Sequence, residues 1–224
     1  MSVSLNKFVA DTGVCSRREA DRWIEAGRLT INGQVAVKGN RVEPGDRVLL
    51  DGRSIGGQPD RVYLAFHKPA GVTCTTDRRD PDNIVDYVGY PERIFPVGSL
   101  DKASTGLIFL TNDGDVVNDV LRAEHEHEKE YVVTVDRPLD ETFVRRMSGG
   151  LPILGRRTNP CTVEQLGRRK FRIVLTQGMN RQIRRMCEYL GYRVMTLKRI
   201  RIMDIHLGDL PPGRFRELPG FFPR

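Results

Sequence analysis

At 224 residues the chain can hold one full-sized domain and a small companion, because compact domains run ~100–200 residues. The absence of an apolar run near the ~20 residues of a membrane span and of a signal peptide at the start argues against membrane and secreted classes, and the four scattered cysteines, with no Cys-x-x-Cys pair, are an ordinary number for an intracellular protein. It leaves a cytoplasmic globular protein with Cys15, Cys74, Cys161 and Cys187 as buried thiols, and the net charge of +7 falls unevenly, with thirteen Lys and Arg between residues 156 and 201 against Glu164 and Glu188. A field of one sign over such a stretch is what phosphate contact requires.

In chain order, a short helix is predicted at Leu5–Ala10. A second runs through residues 16–27, where Ser16 can cap, Glu19 completes a capping box and Gly27 stops the helix. Ala20, Trp23 and Ile24 share its apolar stripe, which leaves Arg17, Arg18 and Arg22 on other faces. Strands Leu29–Ile31 and Gln34–Val37 flank Asn32-Gly33, a pair suited to a two-residue hairpin turn. Glu43-Pro44-Gly45-Asp46 fits a type II turn before a strand at Arg47–Leu50. These elements make a compact unit of residues 1–51, and the Gly-rich stretch 52–60 reads as a linker.

Residues 61–224 mix strands and helices without a βαβ rhythm, so an α+β fold with a mixed, largely antiparallel sheet and flanking helices is expected. Strands are predicted at Val62–Phe66, Thr105–Thr111, Glu130–Asp136, Cys161–Leu166, Phe171–Thr176, Val194–Leu197 and Arg201–Leu207. Helices are predicted at Asp115–Arg122, Asp140–Met147 and Arg181–Leu190. In the last, Ile183, Met186, Cys187 and Leu190 form the buried stripe, Asn180 can cap and Gly191 can terminate. Arg181, Arg184 and Arg185 then project away from the buried face.

The polar, Gly-bracketed loop Gly98–Gly106 lies between the apolar run Ile94–Val97 and the apolar LIFL. Loops held by rigid strands concentrate catalytic groups, yet an Asp in such a loop is often only a turn former, so composition leaves both readings of Asp101 open. Taken with its neighbours, GSLDKASTGLIFLTNDGD resembles the Asp-containing motif of the pseudouridine synthases, in particular the branch that modifies individual uridines of ribosomal RNA and carries an N-terminal S4-type domain. SRREADRWIEAGRLTINGQVAVKGNRVEPGDRV resembles the S4 RNA-binding module. HKPAGVTCT, HEKEYVVTV, MSGGLPILG, NRQIRRMCEYLGYRV and LKRIRIMDIHL resemble the blocks of the catalytic domain, in the family's order and over nearly the whole chain.

The resemblance implies that Asp101 is the essential carboxylate that attacks the nucleoside. Tyr131 would stack on the uracil and take part in proton movement, and Arg184 would pair with the carboxylate. Leu197 would wall the pocket, with Leu100 and Ser99 beside Asp101. The family commonly has Arg at the position of Ser99, where it helps occupy the space left by the extruded nucleotide, and Ser cannot fill a base-sized gap. RNA contacts are expected from Arg17, Arg18, Arg22, Arg28 and Lys38 in the first unit and from Lys102, Arg181, Arg185, Lys198 and Arg199 in the second.

The implied reaction breaks one glycosidic bond, turns the base and rejoins it through carbon, with neither redox change nor net hydrolysis, so neither a cofactor nor a metal is required. His125 and His127 have a spacing that suits a solvated acidic loop better than a metal site. Gly56-Gly57 and Gly149-Gly150 lack the spacing and trailing Lys of a phosphate-cradling loop. A non-catalytic RNA-binding or assembly factor would be expected to have lost one of Asp101, Tyr131 and Arg184, and all three are present. The expected partner is RNA, ribosomal or alternatively a transfer RNA stem-loop, with the protein acting as a monomer.

Overall fold

The computed structural model describes residues 1–57, 59–116 and 127–219. Its contacts divide the chain into two compact units, one of Met1–Val62 with Tyr90–Ile94 and Asn112–Gly114, the other of Tyr63–Gly89, Phe95–Thr111 and Asp115–Arg224.

In the first unit β1 (Val3–Ser4) leads into α1 (Leu5–Asp11) and α2 (Arg17–Glu25). The Ser16 hydroxyl caps α2 by accepting from the Glu19 N–H at 3.1 Å, and the chain leaves the helix through Gly27 at φ 66°. The hairpin of β2 (Leu29–Ile31) and β3 (Gln34–Val35) turns through Asn32 and Gly33 at φ 51° and 85°, the two positive dihedrals that a type I′ turn demands. β4 (Arg41–Val42) pairs with β1, and Glu43–Asp46 turns the chain into β5 (Val48–Leu50). A further strand, β6 (Arg53–Ser54), pairs back onto β5, so the stretch expected to be linker begins inside the sheet. The overlooked signal is Asp51-Gly52, a hairpin dipeptide of the same kind as Asn32-Gly33. Leu5, Val9, Ala20, Ile24, Leu29 and Val48 form the apolar core of this unit.

The second unit runs β7 (Tyr63–Lys68), α3 (Ile84–Val88), β8 (Phe95–Val97), β9 (Thr105–Thr111), β10 (Lys129–Val135), α4 (Phe143–Ser148), β11 (Pro152–Ile153), β12 (Arg156–Arg157), β13 (Thr162–Gly167), β14 (Lys170–Leu175), α5 (Gln182–Tyr189), β15 (Val194–Ile202), β16 (Ile205–His206) and β17 (Phe215–Glu217). Its main sheet has the order β13-β14-β10-β15-β9-β7-β17, with β8 on β9 and β16 on β15. Every pair is antiparallel except β15 with β9. Val133, Phe171, Ile173 and Leu197 of the sheet meet Phe143 and Met147 of α4 and Ile183, Met186 and Cys187 of α5 in one core. Each such side chain removed from water contributes about 1.5–3 kcal/mol before entropy is counted. Burial also pushes the Cys187 thiol up to about 12 and the Cys15 and Cys161 thiols up to about 11, which suits packing rather than reactivity.

Several expectations change. β15 is one strand of nine residues where a break was expected before Arg201. It is shared between β10 and β9, so Lys198 and Arg199 stay in the ladder opposite Val132 and Tyr131 despite their charge. α4 begins at Phe143 because the Asp140 carboxylate accepts from the Thr142 N–H at 2.8 Å and organises a turn ahead of the helix. The cap of α5 is Arg181, in the left-handed region, rather than Asn180. Of the helix expected at Asp115–Arg122, residues 114–116 are helical and 117–126 lie outside the described residues.

The parallel contact of β15 with β9 depends on Gly106. It sits at φ 111°, and a β-carbon there would lie 2.1 Å from the Arg199 carbonyl oxygen and 2.6 Å from its nitrogen. Only glycine allows backbones this close.

Candidate active site

The loop from Gly98 to Ser104 joins β8 to β9 and is held from several directions. The Ser104 N–H closes a turn on the Asp101 carbonyl at 2.9 Å. Lys68, fully buried, donates from Nζ to the Pro69 and Lys102 carbonyls at 2.8 and 3.2 Å, and the Gly71 N–H donates to the same Lys102 carbonyl. The Leu100 N–H reaches Cys74 Sγ at 3.3 Å. Arg199 donates from Nε to the Leu107 carbonyl at 2.7 Å and from Nη1 to the Ser99 carbonyl at 3.4 Å. With Ser99, Leu100 and Lys102 all tethered, the carboxylate between them is fixed in position.

Asp101 Oδ2 accepts from Arg184 Nε at 3.1 Å and from Arg181 Nη1 at 3.2 Å, while Arg184 Nη2 donates to Ser104 Oγ at 3.0 Å. Oδ1 accepts no hydrogen bond from the described residues, so one oxygen is engaged and the other is without a protein donor there. Arg184 reaches the carboxylate from the first turn of α5, whose stripe of Ile183, Met186 and Cys187 is buried in the core.

A cavity of about 340 Å³ opens over this pair, lined by Ser99, Leu100, Asp101, Tyr131, Arg184 and Leu197 among others. That size lies in the range of small-molecule pockets, ~300–1,000 Å³, and Asp101 is the one carboxylate on its lining among the described residues. Tyr131 and Lys129 reach it from the same face of β10. Burial, reinforced by the Arg199 charge, pulls the Lys129 ammonium below its ordinary value.

Between them Glu130 points to the opposite face, where Oε1 accepts from Arg172 Nε at 2.5 Å and Oε2 from Arg201 Nε at 2.7 Å. These bonds, Arg172 first, hold its carboxyl below the ordinary value of 4.5. A depressed folded value means stability that is present above pH 4.5 and is lost as pH falls through the folded value. Glu130→Gln is therefore expected to lower stability at pH 7 by about 2 kcal/mol, the scale of a hydrogen-bonded charge. Melting curves should show the gap to wild type closing below pH 4.5, and a gap independent of pH would refute the role.

The sequence-predicted catalytic and pocket residues thus lie together, although Asp101 and Arg184 are 83 positions apart. What sequence reasoning missed is the support: Lys68, Ser104 and Gly106 carry no local pattern that marks them. Two arginines of the basic stretch, Arg172 and Arg201, are committed to Glu130. Arg199, expected among the RNA contacts, is 4 % exposed and donates to two carbonyls that hold the loop, while it also lines the cavity. His125 lies outside the described residues.

Residues 62–189 match the RNA pseudouridylate synthase family and residues 3–48 match the S4 domain. The chain is 52 % identical, over 97 % of its length and 76 % of the relative's, to the dual-specificity RNA pseudouridine synthase RluF of Escherichia coli K12. The chain belongs to the RNA pseudouridine synthase family. It is also 32 % identical to the ribosomal large subunit pseudouridine synthase B of Bacillus subtilis, over 96 % of this chain and 91 % of that one. A crystal structure of a pseudouridylate synthase superposes with a TM-score of 0.70 at 28 % identity and covers 96 % of both chains. As a pseudouridine synthase the protein isomerises uridine in RNA. No helix among the described residues is long and apolar enough to cross a membrane.

The synthase presents its other cations unevenly. In the S4 domain Arg17, Arg18, Arg22, Arg28 and Lys38 are all exposed. Arg28 stacks on Trp23 and pairs with Asp51, Arg22 pairs with Glu19, and Lys38 lies 3.9 Å from Glu25. In the catalytic domain Lys102 pairs with Asp82 at 2.7 Å and Arg185 donates to the Asn180 carbonyl and side chain. Lys198 is half-buried, and Ser99 is exposed on the cavity rim.

Proposed function

We propose that Asp101 starts the isomerisation, acting on uridines of large-subunit ribosomal RNA, with Arg184 as its counter-ion and Tyr131 as the aromatic platform beneath the base. The observation that carries this reading is Asp101 as the one carboxylate on the cavity lining among the described residues, with Oδ2 held by arginine and Oδ1 given no donor by them. An ionised carboxylate needs no activation to act as nucleophile at C1′ or as counter-charge to a sugar cation. The N1–C1′ bond breaks, the base turns, and C5 bonds to C1′. C5 gives up its proton and N1 ends protonated, so the atoms balance without any oxidant. Tyr131 offers an aromatic face suited to stacking, and any proton it accepts would pass through a partner such as Asp101.

The target uridine must leave its stack at a cost of a few kcal/mol. The cations of the S4 domain and of the catalytic domain offset this through phosphate contacts. Leu197 and Leu100 supply apolar walls, and Ser99 leaves room at the rim that RNA or another side chain fills. The enzyme works as a cytoplasmic monomer, with residues 1–51 forming most of the RNA-binding module. The B. subtilis relative's name favours ribosomal RNA, and the dual specificity named for the E. coli relative supports a second target class, for which a transfer RNA stem-loop is the candidate.

Mapping pseudouridine in ribosomal and transfer RNA from cells with and without the protein tests the substrate. Discrete sites lost from large-subunit RNA are expected, and losses confined to transfer RNA would overturn the ribosomal assignment. Arg184→Met is expected to lower kcat about 100-fold, the scale of a lost charge stabiliser, with KM within about threefold. Steady-state kinetics check this, and a change confined to KM would reduce Arg184 to an RNA contact.

A further inference from the structure

We propose that Arg181 changes partners when RNA binds, moving from Asp101 to a backbone phosphate beside the extruded uridine and leaving Arg184 alone on the carboxylate. This rests on Asp101 being the catalytic carboxylate and gives the second arginine a separate duty.

Both guanidiniums donate to the same oxygen, Asp101 Oδ2, but they are held differently. The Arg184 side chain is 15 % exposed and is also anchored to Ser104 Oγ, so it cannot leave without breaking two contacts. Arg181 is 49 % exposed and its side chain has no other partner among the described residues. It also extends from a left-handed backbone, φ 51° and ψ 36°, a conformation that costs a side chain free energy and recurs at functional sites. That backbone aims the arm at the cavity lining beside Asp101.

An exposed ion pair resting on a single N–H is weak and screened by solvent. A phosphodiester offers two oxygens to the planar guanidinium fork, which a single carboxylate oxygen does not. When RNA enters, Arg181 therefore gains by moving, whereas Arg184 does not. The carboxylate then sheds one of its two cations only while substrate is in place.

The test uses the full-length enzyme and a ribosomal RNA transcript that carries a mapped target uridine. Arg181→Gly suits the left-handed backbone, so its melting temperature should equal or exceed wild type. Its KM should rise about tenfold with kcat within about threefold, and the slope of log KM against log salt should fall by about one. Arg181→Lys should restore the slope and part of the KM, because charge survives and the fork does not. The exchange itself appears in binding: Asp101→Asn should bind the transcript about threefold more tightly, and Arg181→Gly should abolish that gain in the double variant.

A fall in kcat with KM and slope unchanged would place Arg181 permanently on the carboxylate, and a lower melting temperature with unchanged RNA parameters would make it a helix cap. Either overturns the proposal. An active Asp101→Asn would instead overturn the catalytic reading, while the altered salt slope of Arg181→Gly would stand as a simple phosphate contact.

Discussion

Asp101→Asn is expected to fold, to bind RNA at least as tightly as wild type, and to lose turnover by on the order of 10⁴-fold or more, the scale seen when an essential catalytic group is removed. Asn keeps the side-chain shape and can still accept a hydrogen bond from Arg184 Nε, the 3.1 Å contact that positions the carboxylate. It has no charge to attack C1′ or to balance a sugar cation. The loop should not move, because Ser99, Leu100 and Lys102 are tethered through backbone atoms that the substitution leaves alone. Thermal melting, filter binding and nucleoside analysis of the treated RNA check the three parts. A variant that fails to melt cooperatively would point to a structural carboxylate instead.

The second large effect is on stability. Gly106→Ala is expected to destabilise the catalytic domain by more than about 4 kcal/mol, or roughly 10 °C in melting temperature for a chain of this size. The new β-carbon would meet three backbone atoms of Arg199 at 2.1, 2.6 and 2.9 Å, and backbone cannot step aside as a flexible side chain can. Relief would require β15 and β9 to part, with the Arg199 guanidinium withdrawn from the Ser99 and Leu107 carbonyls. Activity should fall with stability, since that guanidinium holds the loop that carries Asp101. Differential scanning calorimetry of the alanine variant gives the result, and a melting temperature within about 2 °C of wild type would show that the close approach does not exist.

Elements whose instructions are local were legible in the sequence. Ser16 caps α2, Asn32-Gly33 turns its hairpin, and β9 spans Thr105–Thr111 as predicted, because a cap, a two-residue turn or an apolar run between polar loops needs no distant partner. Where a long-range contact decides, reading was harder. Lys198 and Arg199 looked like a break in a strand until β10 and β9 closed on both sides of them. Arg199 and Arg201 belong to the basic stretch, yet Arg199 donates to backbone carbonyls and Arg201 pairs with Glu130. Charge alone does not reveal whether a cation faces solvent or a buried partner. The pairing of Asp101 with Arg184 came from family resemblance, since no periodicity links residues 83 positions apart. Asp51-Gly52 is a different case, as its hairpin signal was local and was hidden inside a Gly-rich stretch that resembles a linker.

Tritium release from RNA labelled at uridine C5 reports most directly on the chemistry assigned to Asp101, because the C5–H bond is lost only when carbon replaces nitrogen at C1′. Under single turnover, wild-type enzyme should release one tritium per modified uridine, and Asp101→Asn, bound to the same RNA, should release none. Release by the Asn variant at a rate near wild type would contradict a carboxylate mechanism at position 101.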